Sequence, residues 1–215
     1  RFHSLLSASV RGWHNQPSEG FKPSEGLNRT KMGVKDAMKY TFNIAAEHIP
    51  PKLVLTKAES ESEGHLMLKF LSYLLYYRPG IKVEYRIEQH FQPDLIVEGD
   101  NFQPLLWVDC GNTTLKKLDK VATKNHHCDI YIVKENEYQL RVYYQKAQKR
   151  VKHVERVEFI CFDDTFVSAL VDSLRRTNEV RVNTLEPSKY VSLTFNDQNY
   201  ESTIQICGTS QLKFS

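Results

Sequence analysis

The sequence predicts one α/β domain between about residues 40 and 176, a mixed sheet flanked by helices. Strand-length runs, either alternating or wholly apolar, recur along it, and longer segments with helical spacing separate them. Elements that alternate in this order pack as layers around a sheet. The composition agrees, since 40% hydrophobic and 26% charged residues in a chain of 215 are the proportions of a globular protein.

Residues 40–46 (YTFNIAA) alternate as a half-buried strand does, and 52–55 (KLVL) extend it into a hairpin. After Ser60, Glu61, Ser62 and Glu63 comes the run GHLMLKFLSYLLYY. Met67, Phe70, Leu71 and Leu74 stand there at i, i+3, i+4 and i+7, an amphipathic helix that ends before Pro79 and Gly80. Residues 83–87 are expected as a strand. Residues 94–97 (DLIV) are another, turned at Glu98-Gly99-Asp100-Asn101, and 105–109 (LLWVD) return beside it. Residues 114–124 make a second helix, with Leu115, Leu118 and Ala122 on one face and Lys116, Lys120 and Lys124 on the other. A buried strand at 129–133 (DIYIV), a mostly helical stretch at 137–153, a strand at 157–162 (VEFICF) and a closing helix at 163–176 follow. Residues 191–195 and 203–207, around Asn196-Asp197, are expected as an appended β-hairpin. The organisation is then an extension over 1–38, the core over 39–177 and a C-terminal extension over 178–215.

No apolar run approaches the ~20 residues that span a bilayer. The net charge of +3, from 29 basic and 26 acidic residues, permits a nucleic-acid partner without demanding one. The four cysteines include no CxxC pair, which argues against a structural zinc site, and their apolar contexts fit a reducing compartment. His126-His127 reads as a loop, because adjacent side chains on an extended strand point to opposite faces. The chain opens RFHSLLSASVRGWHN, without an initiating methionine and without an acidic residue before Glu19. Such an arginine-bearing, serine-rich start has the composition of a mitochondrial targeting segment, so a matrix location is expected. Two Pro-Ser-Glu-Gly units follow, an extended linker with no apolar face of its own. The large apolar side chains of the N-terminal tail, Phe2, Leu5, Leu6, Trp13 and Phe21, are expected to bind other subunits of a large complex.

Three acidic positions can carry chemistry. Glu63 or Glu61 starts the first long helix, Asp94 begins a strand, and Asp109 ends the returning one. A hairpin can set Asp94 and Asp109 side by side, and two such carboxylates can hold Mg²⁺ with its remaining waters. A bound ion of this kind can generate a hydroxide nucleophile and stabilise charge on a scissile phosphate. The bland alternatives are a Ser60–Glu63 capping box, a strand-entry Asp94 and a turn-forming Asp109.

The blocks SESEGHLMLKFLSYLL, QPDLIV and LLWVDCGN, in that order and followed by a lysine-bearing helix, resemble the YaeQ family, a branch of the PD-(D/E)XK nuclease-like superfamily. The resemblance covers roughly residues 53–134. It implies a restriction-endonuclease-like core with Glu61 or Glu63, Asp94 and Asp109 at the ancestral metal site, and it implies no activity. Where the nuclease pattern has its lysine, this chain has Gly111. Lys116, Lys117 or Lys120 can supply that charge from the next helix, but the expected reading of this row is a solvated face. Lys146, Lys149, Arg150, Lys152 and Arg156 form the densest basic stretch and are candidates for nucleic-acid contact. Gly111 argues against turnover. The expectation is therefore a non-catalytic subunit of a mitochondrial assembly without cofactor, first a ribosomal protein that contacts RNA, next a respiratory-complex or ATP synthase subunit. The alternative is a Mg²⁺-dependent nuclease acting on mitochondrial nucleic acid.

Overall fold

The computed structural model describes residues 37–85, 91–187 and 189–207. Phe2, Leu5, Leu6, Trp13 and Phe21, and with them the expected partner-binding tail, lie outside the described residues. Among the described residues the elements are β1 (Met38–Ala45), β2 (Lys52–Lys57), α1 (Glu63–Tyr76), β3 (Lys82–Val83), β4 (Leu95–Glu98), β5 (Pro104–Cys110), α2 (Leu115–Lys124), β6 (Asp129–Asn136), α3 (Glu137–Arg150), β7 (Val157–Phe162), α4 (Phe166–Asp172), β8 (Thr177–Glu186), β9 (Tyr190–Phe195), β10 (Gln198–Thr203) and β11 (Gln205–Cys207).

Two mixed sheets result. The first has the order β10-β9-β8-β1-β2 and the second β11-β7-β6-β5-β4-β3. In the second, β5, β6 and β7 run parallel and are joined by α2 and α3, while β3, β4 and β11 are antiparallel. The central strand β6 is apolar on both faces, as a covered parallel strand must be: Val133 joins one core cluster, and Ile130 and Ile132 join the other. The larger cluster combines side chains of both sheets with α1 and α4, so these helices fill the space between the sheets. The smaller one packs α2 and α3 on the far face of the second sheet, around Trp107, Ile132 and Phe159.

Helix α1 departs from the expected single apolar stripe. Every residue from Leu66 to Tyr76 is buried, including Lys69 and Ser72, because sheets cover the helix on both sides. Phe70 stacks on Phe42 of the first sheet at 4.2 Å, and Tyr76 stacks on Tyr131 of the second at 4.0 Å.

The C-terminal part differs most from expectation. Residues 177–186 form β8, which pairs parallel to β1 and antiparallel to β9. The hairpin at Asn196-Asp197, both with positive φ as a type I′ turn requires, joins β9 to β10, whereas residues 205–207 pair with β7 in the other sheet. The expected helix over 163–176 shortens to α4. Asp163, instead of capping a helical turn, accepts hydrogen bonds from the Thr203 N–H at 2.8 Å and the Thr203 hydroxyl at 2.5 Å. Beyond α4, the buried Asn178 amide accepts from the Arg175 N–H and from Asn196, and donates to the Thr41 and Arg175 carbonyls, which fastens β8 beside β1. The expected strand at 83–87 is represented by Lys82–Val83, and residues 86–90 lie outside the described residues.

Because Phe42 is fully buried and bridges the first sheet to α1, Phe42→Ala should cost about 3–5 kcal/mol of unfolding free energy in urea titrations. A cost below about 1 kcal/mol would contradict this packing.

Candidate functional site

The acidic pair sits where β4 and β5 meet. The strands are antiparallel with Leu95 opposite Val108, and the Asp94 N–H donates to the Val108 carbonyl at 3.0 Å. Asp94 therefore stands across from the end of β5, where Asp109 lies. Strand alternation decides the faces. Leu106, Val108 and Cys110 point to α1, so Trp107 and Asp109 point to the α2 and α3 side.

Each carboxylate is held differently. Asp94 accepts from the Cys110 N–H at 2.7 Å and lies 3.0 Å from His65 Nε2. Burial works to raise its pKa, but His65, the Cys110 N–H and the charge of Lys117 outweigh burial and hold it below the ordinary value. His65 moves the other way. Burial disfavours its charge, and Asp94 with Glu61 more than compensates, so its pKa is raised. Asp109 is 1% exposed, and burial together with the Asp94 charge pushes its pKa up to about 6 despite the Lys117 ammonium 2.7 Å from Oδ1. Its Oδ2 has no hydrogen-bond partner; the Trp107 indole N–H lies against this carboxylate and favours its charge without completing a bond.

The lysines of α2 separate. Lys117 points into the acidic site, contrary to the solvated face expected for the whole row, and also donates to the Gln92 carbonyl at 2.5 Å. Its position next to Leu118 on the buried face lets the long stem run along Trp107, with the ammonium 5.8 Å from the ring. Lys116 and Lys120 are exposed, and Lys120 lies over Phe91.

The two glutamates also separate. Glu63 accepts from the Tyr40 hydroxyl at 3.1 Å and belongs to the contact between α1 and the first sheet. The helix cap is Ser62, which accepts from the His65 N–H, so the Ser60–Glu63 box is not formed. Glu61 reaches the site side instead, 2.5 Å from Lys69 and 3.8 Å from His65. Glu61 Oε1 is the oxygen that faces this ammonium. Lys69, nearly fully buried, is also paired with Glu84, and these two carboxylates overcome the burial that disfavours its charge.

Gly111 has a local cause. Its φ is +59°, and an added Cβ would stand 3.2 Å from His65 Nδ1. A side chain there would carry a left-handed penalty of roughly 1–2 kcal/mol and press on the imidazole that holds Asp94. A lysine at that position would be strained and would have to displace the His65 ring by a few tenths of an ångström. Another lysine approaches from the neighbouring strand: Lys134, 4% exposed, donates to the Gly111 carbonyl. Burial lowers its pKa to about 8 against the charges of Cys110, Asp109 and Glu135. Sequence reasoning passed over His65, Lys69 and Lys134. Lys69 did leave a signal, a lone charge inside an otherwise apolar helical run.

Of the basic stretch, Lys146 lines a cavity beside the site, and Lys149, Arg150, Lys152 and Arg156 do not. Arg156 contacts His126 at 2.5 Å. A larger hollow of about 580 Å³ at the first sheet, lined by Asn43, Glu179 and Arg181, shares no residue with the acidic site. Among the described residues, no group of three or more His, Cys, Asp and Glu side chains is placed to hold a metal. The pair Asp94 and Asp109 offers two carboxylates, with His65 and the Cys110 N–H on Asp94, Lys117 on one Asp109 oxygen and an incomplete Trp107 contact at the other. That suits Mg²⁺, which binds through one or two carboxylates and keeps several waters.

The raised Asp109 pKa makes stability depend on pH. The folded value of about 6 exceeds the ordinary 3.8, so between those pH values the folded chain keeps a proton that the unfolded chain releases. Stability should fall as pH rises through that window, by on the order of 3 kcal/mol relative to Asp109→Asn, which cannot titrate. Urea unfolding of both proteins at about pH 4, 6 and 8 measures this. A gap between the two that does not change with pH would contradict it.

Known structures share this fold. The crystal structure of the YaeQ protein from Xanthomonas axonopodis pv. citri superposes with a TM-score of 0.67 at 15% identity, over 81% of this chain and 100% of that one. The YaeQ protein from Pseudomonas syringae gives 0.67 at 16% identity, over 81% and 97%. No curated protein matches. These relatives are bacterial, and nothing in them indicates a ribosomal, respiratory or ATP synthase subunit, so the expected mitochondrial assembly and matrix location are overturned. The family described as YaeQ protein matches residues 46–204, and the chain belongs to the YaeQ family.

Proposed function

We propose that the acidic site makes this protein a Mg²⁺-dependent phosphodiester hydrolase acting on DNA. The observation that carries the reading is the buried Asp109 carboxylate opposite Asp94, with the Lys117 ammonium on Oδ1 and the Trp107 indole N–H against the carboxylate without a completed bond to Oδ2. An acceptor met only by such an incomplete contact is under-satisfied, and a bound cation would complete it.

Asp94 and Asp109 would hold the ion. When bound, Mg²⁺ supplies Lewis acidity toward a phosphate oxygen and eases deprotonation of water. His65 keeps Asp94 ionised and oriented, and Glu61 in turn supports the charge on His65. Lys117 places a positive charge where negative charge develops in phosphoryl transfer. It takes the part that a lysine two residues after Asp109 plays in the nuclease pattern, from a helix and not from the strand. Gly111 therefore does not by itself silence the site.

Purified protein with Mg²⁺ or Mn²⁺ should cleave single- or double-stranded DNA, and EDTA should abolish the cleavage. Asp109→Asn and Asp94→Asn should reduce the rate at least about a hundredfold, and Lys117→Ala by about 10²–10³. Absence of cleavage with either ion, or undiminished rates in the Asp94 and Asp109 variants, would rule the reading out.

A further inference from the structure

A cavity of about 350 Å³ opens beside the acidic pair, between the start of α1, the ends of β5 and β6, and α3. Its volume is in the range of small-ligand sites. Two features set it apart from an ordinary surface hollow. The Lys134 ammonium lines it, on a side chain 4% exposed and 3.9 Å from the Tyr143 ring centroid. Tyr143 lines it too, and its buried hydroxyl has no hydrogen-bond partner. A buried phenol normally finds a partner. Here an ammonium, with donors left beyond its bond to the Gly111 carbonyl, and an unused O–H belong to one cavity lining, and an anionic oxygen is the chemistry that suits both.

The rest of the lining fits the same ligand. His65 and Lys146 add basic groups, and Tyr138, 67% exposed, offers a free aromatic face. Glu135 is the carboxylate among the lining residues. It is turned toward the start of α1, accepts from Gln139 at 3.1 Å, and packs so closely that a Cβ on Gly64 would meet its Oε1 at 2.7 Å. Its charge is thus directed at a helix N-terminus, where it is favourable.

We infer that this cavity binds one nucleotide of a DNA strand, with its phosphate on Lys134 and Tyr143 and its base on Tyr138. The inference rests on the hydrolase reading for its choice of ligand, and it assigns the unit next to the scissile phosphate. Base stacking on tyrosine tolerates every base, so the subsite selects a nucleotide without selecting sequence.

The test is binding without cleavage. Fluorescence anisotropy of a labelled single-stranded decadeoxynucleotide, in EDTA, compares the wild type with Lys134→Met, Tyr143→Phe and the distant Lys189→Ala. Lys134→Met should weaken binding about tenfold or more and Tyr143→Phe about fivefold, while Lys189→Ala binds like the wild type. Tyr143→Phe removes only an unpartnered oxygen, so it stays folded even if Lys134→Met does not. Tyr143→Phe binding as tightly as the wild type, or no binding by the wild type, overturns the inference. Cleavage with Mg²⁺ is scored separately. Weakened binding by both variants without any cleavage supports the subsite and removes the hydrolase reading, and cleavage without this binding does the reverse.

Discussion

Helix α1 lies between two sheets, and His65 and Lys69 in its first two turns cannot reach water freely. That constraint organises the site. Lys69 is buried among apolar side chains and keeps its charge because Glu61 and Glu84 meet it. One turn earlier, His65 is oriented between Glu61 and Asp94. Removing both carboxylates would leave the Lys69 charge buried and unpaired, which is strongly destabilising. The apolar body of the helix and the charged start are therefore one structural unit. It anchors the first sheet through Phe70 and aims an imidazole at the end of the second.

Against that anchor, the end of β5 carries a buried carboxylate that its surroundings only partly accommodate. Asp94 is satisfied on both oxygens and is held ionised, whereas Asp109 is raised to about 6 and keeps one oxygen with only an incomplete contact to the Trp107 indole. Two neighbouring acids pushed in opposite directions are a common property of functional sites. The left-handed Gly111 lets the chain leave β5 under the His65 ring, and its carbonyl receives Lys134. Positive charge thus reaches the site from α2 and β6 and not from residue 111.

Much of this was legible in the sequence, and the misses have physical reasons. The strands β4 and β5 and the facing of Asp94 and Asp109 follow from period-two alternation and a Gly-containing turn. Lys117 escaped because the helix phase of Leu115, Leu118 and Ala122 places it beside the buried face, and a flexible stem covers the remaining angle. Glu61 and Glu63 differ by two residues, and only the cap at Ser62 decides which one turns toward the site. Strand β8 was missed because its partner β1 is far away in sequence, and of the two well-buried residues in its alternating start, Asn178 and Val180, only Val180 is apolar. The bacterial affinity of the fold was carried by the core blocks, whereas the mitochondrial reading drew on the N-terminal composition.

Everything proposed for the site rests on Asp94 and Asp109 forming a divalent-cation site. Equilibrium titration with Mn²⁺, followed by its electron paramagnetic resonance signal at about pH 7.5, tests this directly. One bound ion per chain is expected in the wild type, with loss of that binding in both Asp94→Asn and Asp109→Asn. No bound ion in the wild type, or binding that survives both substitutions, would contradict it.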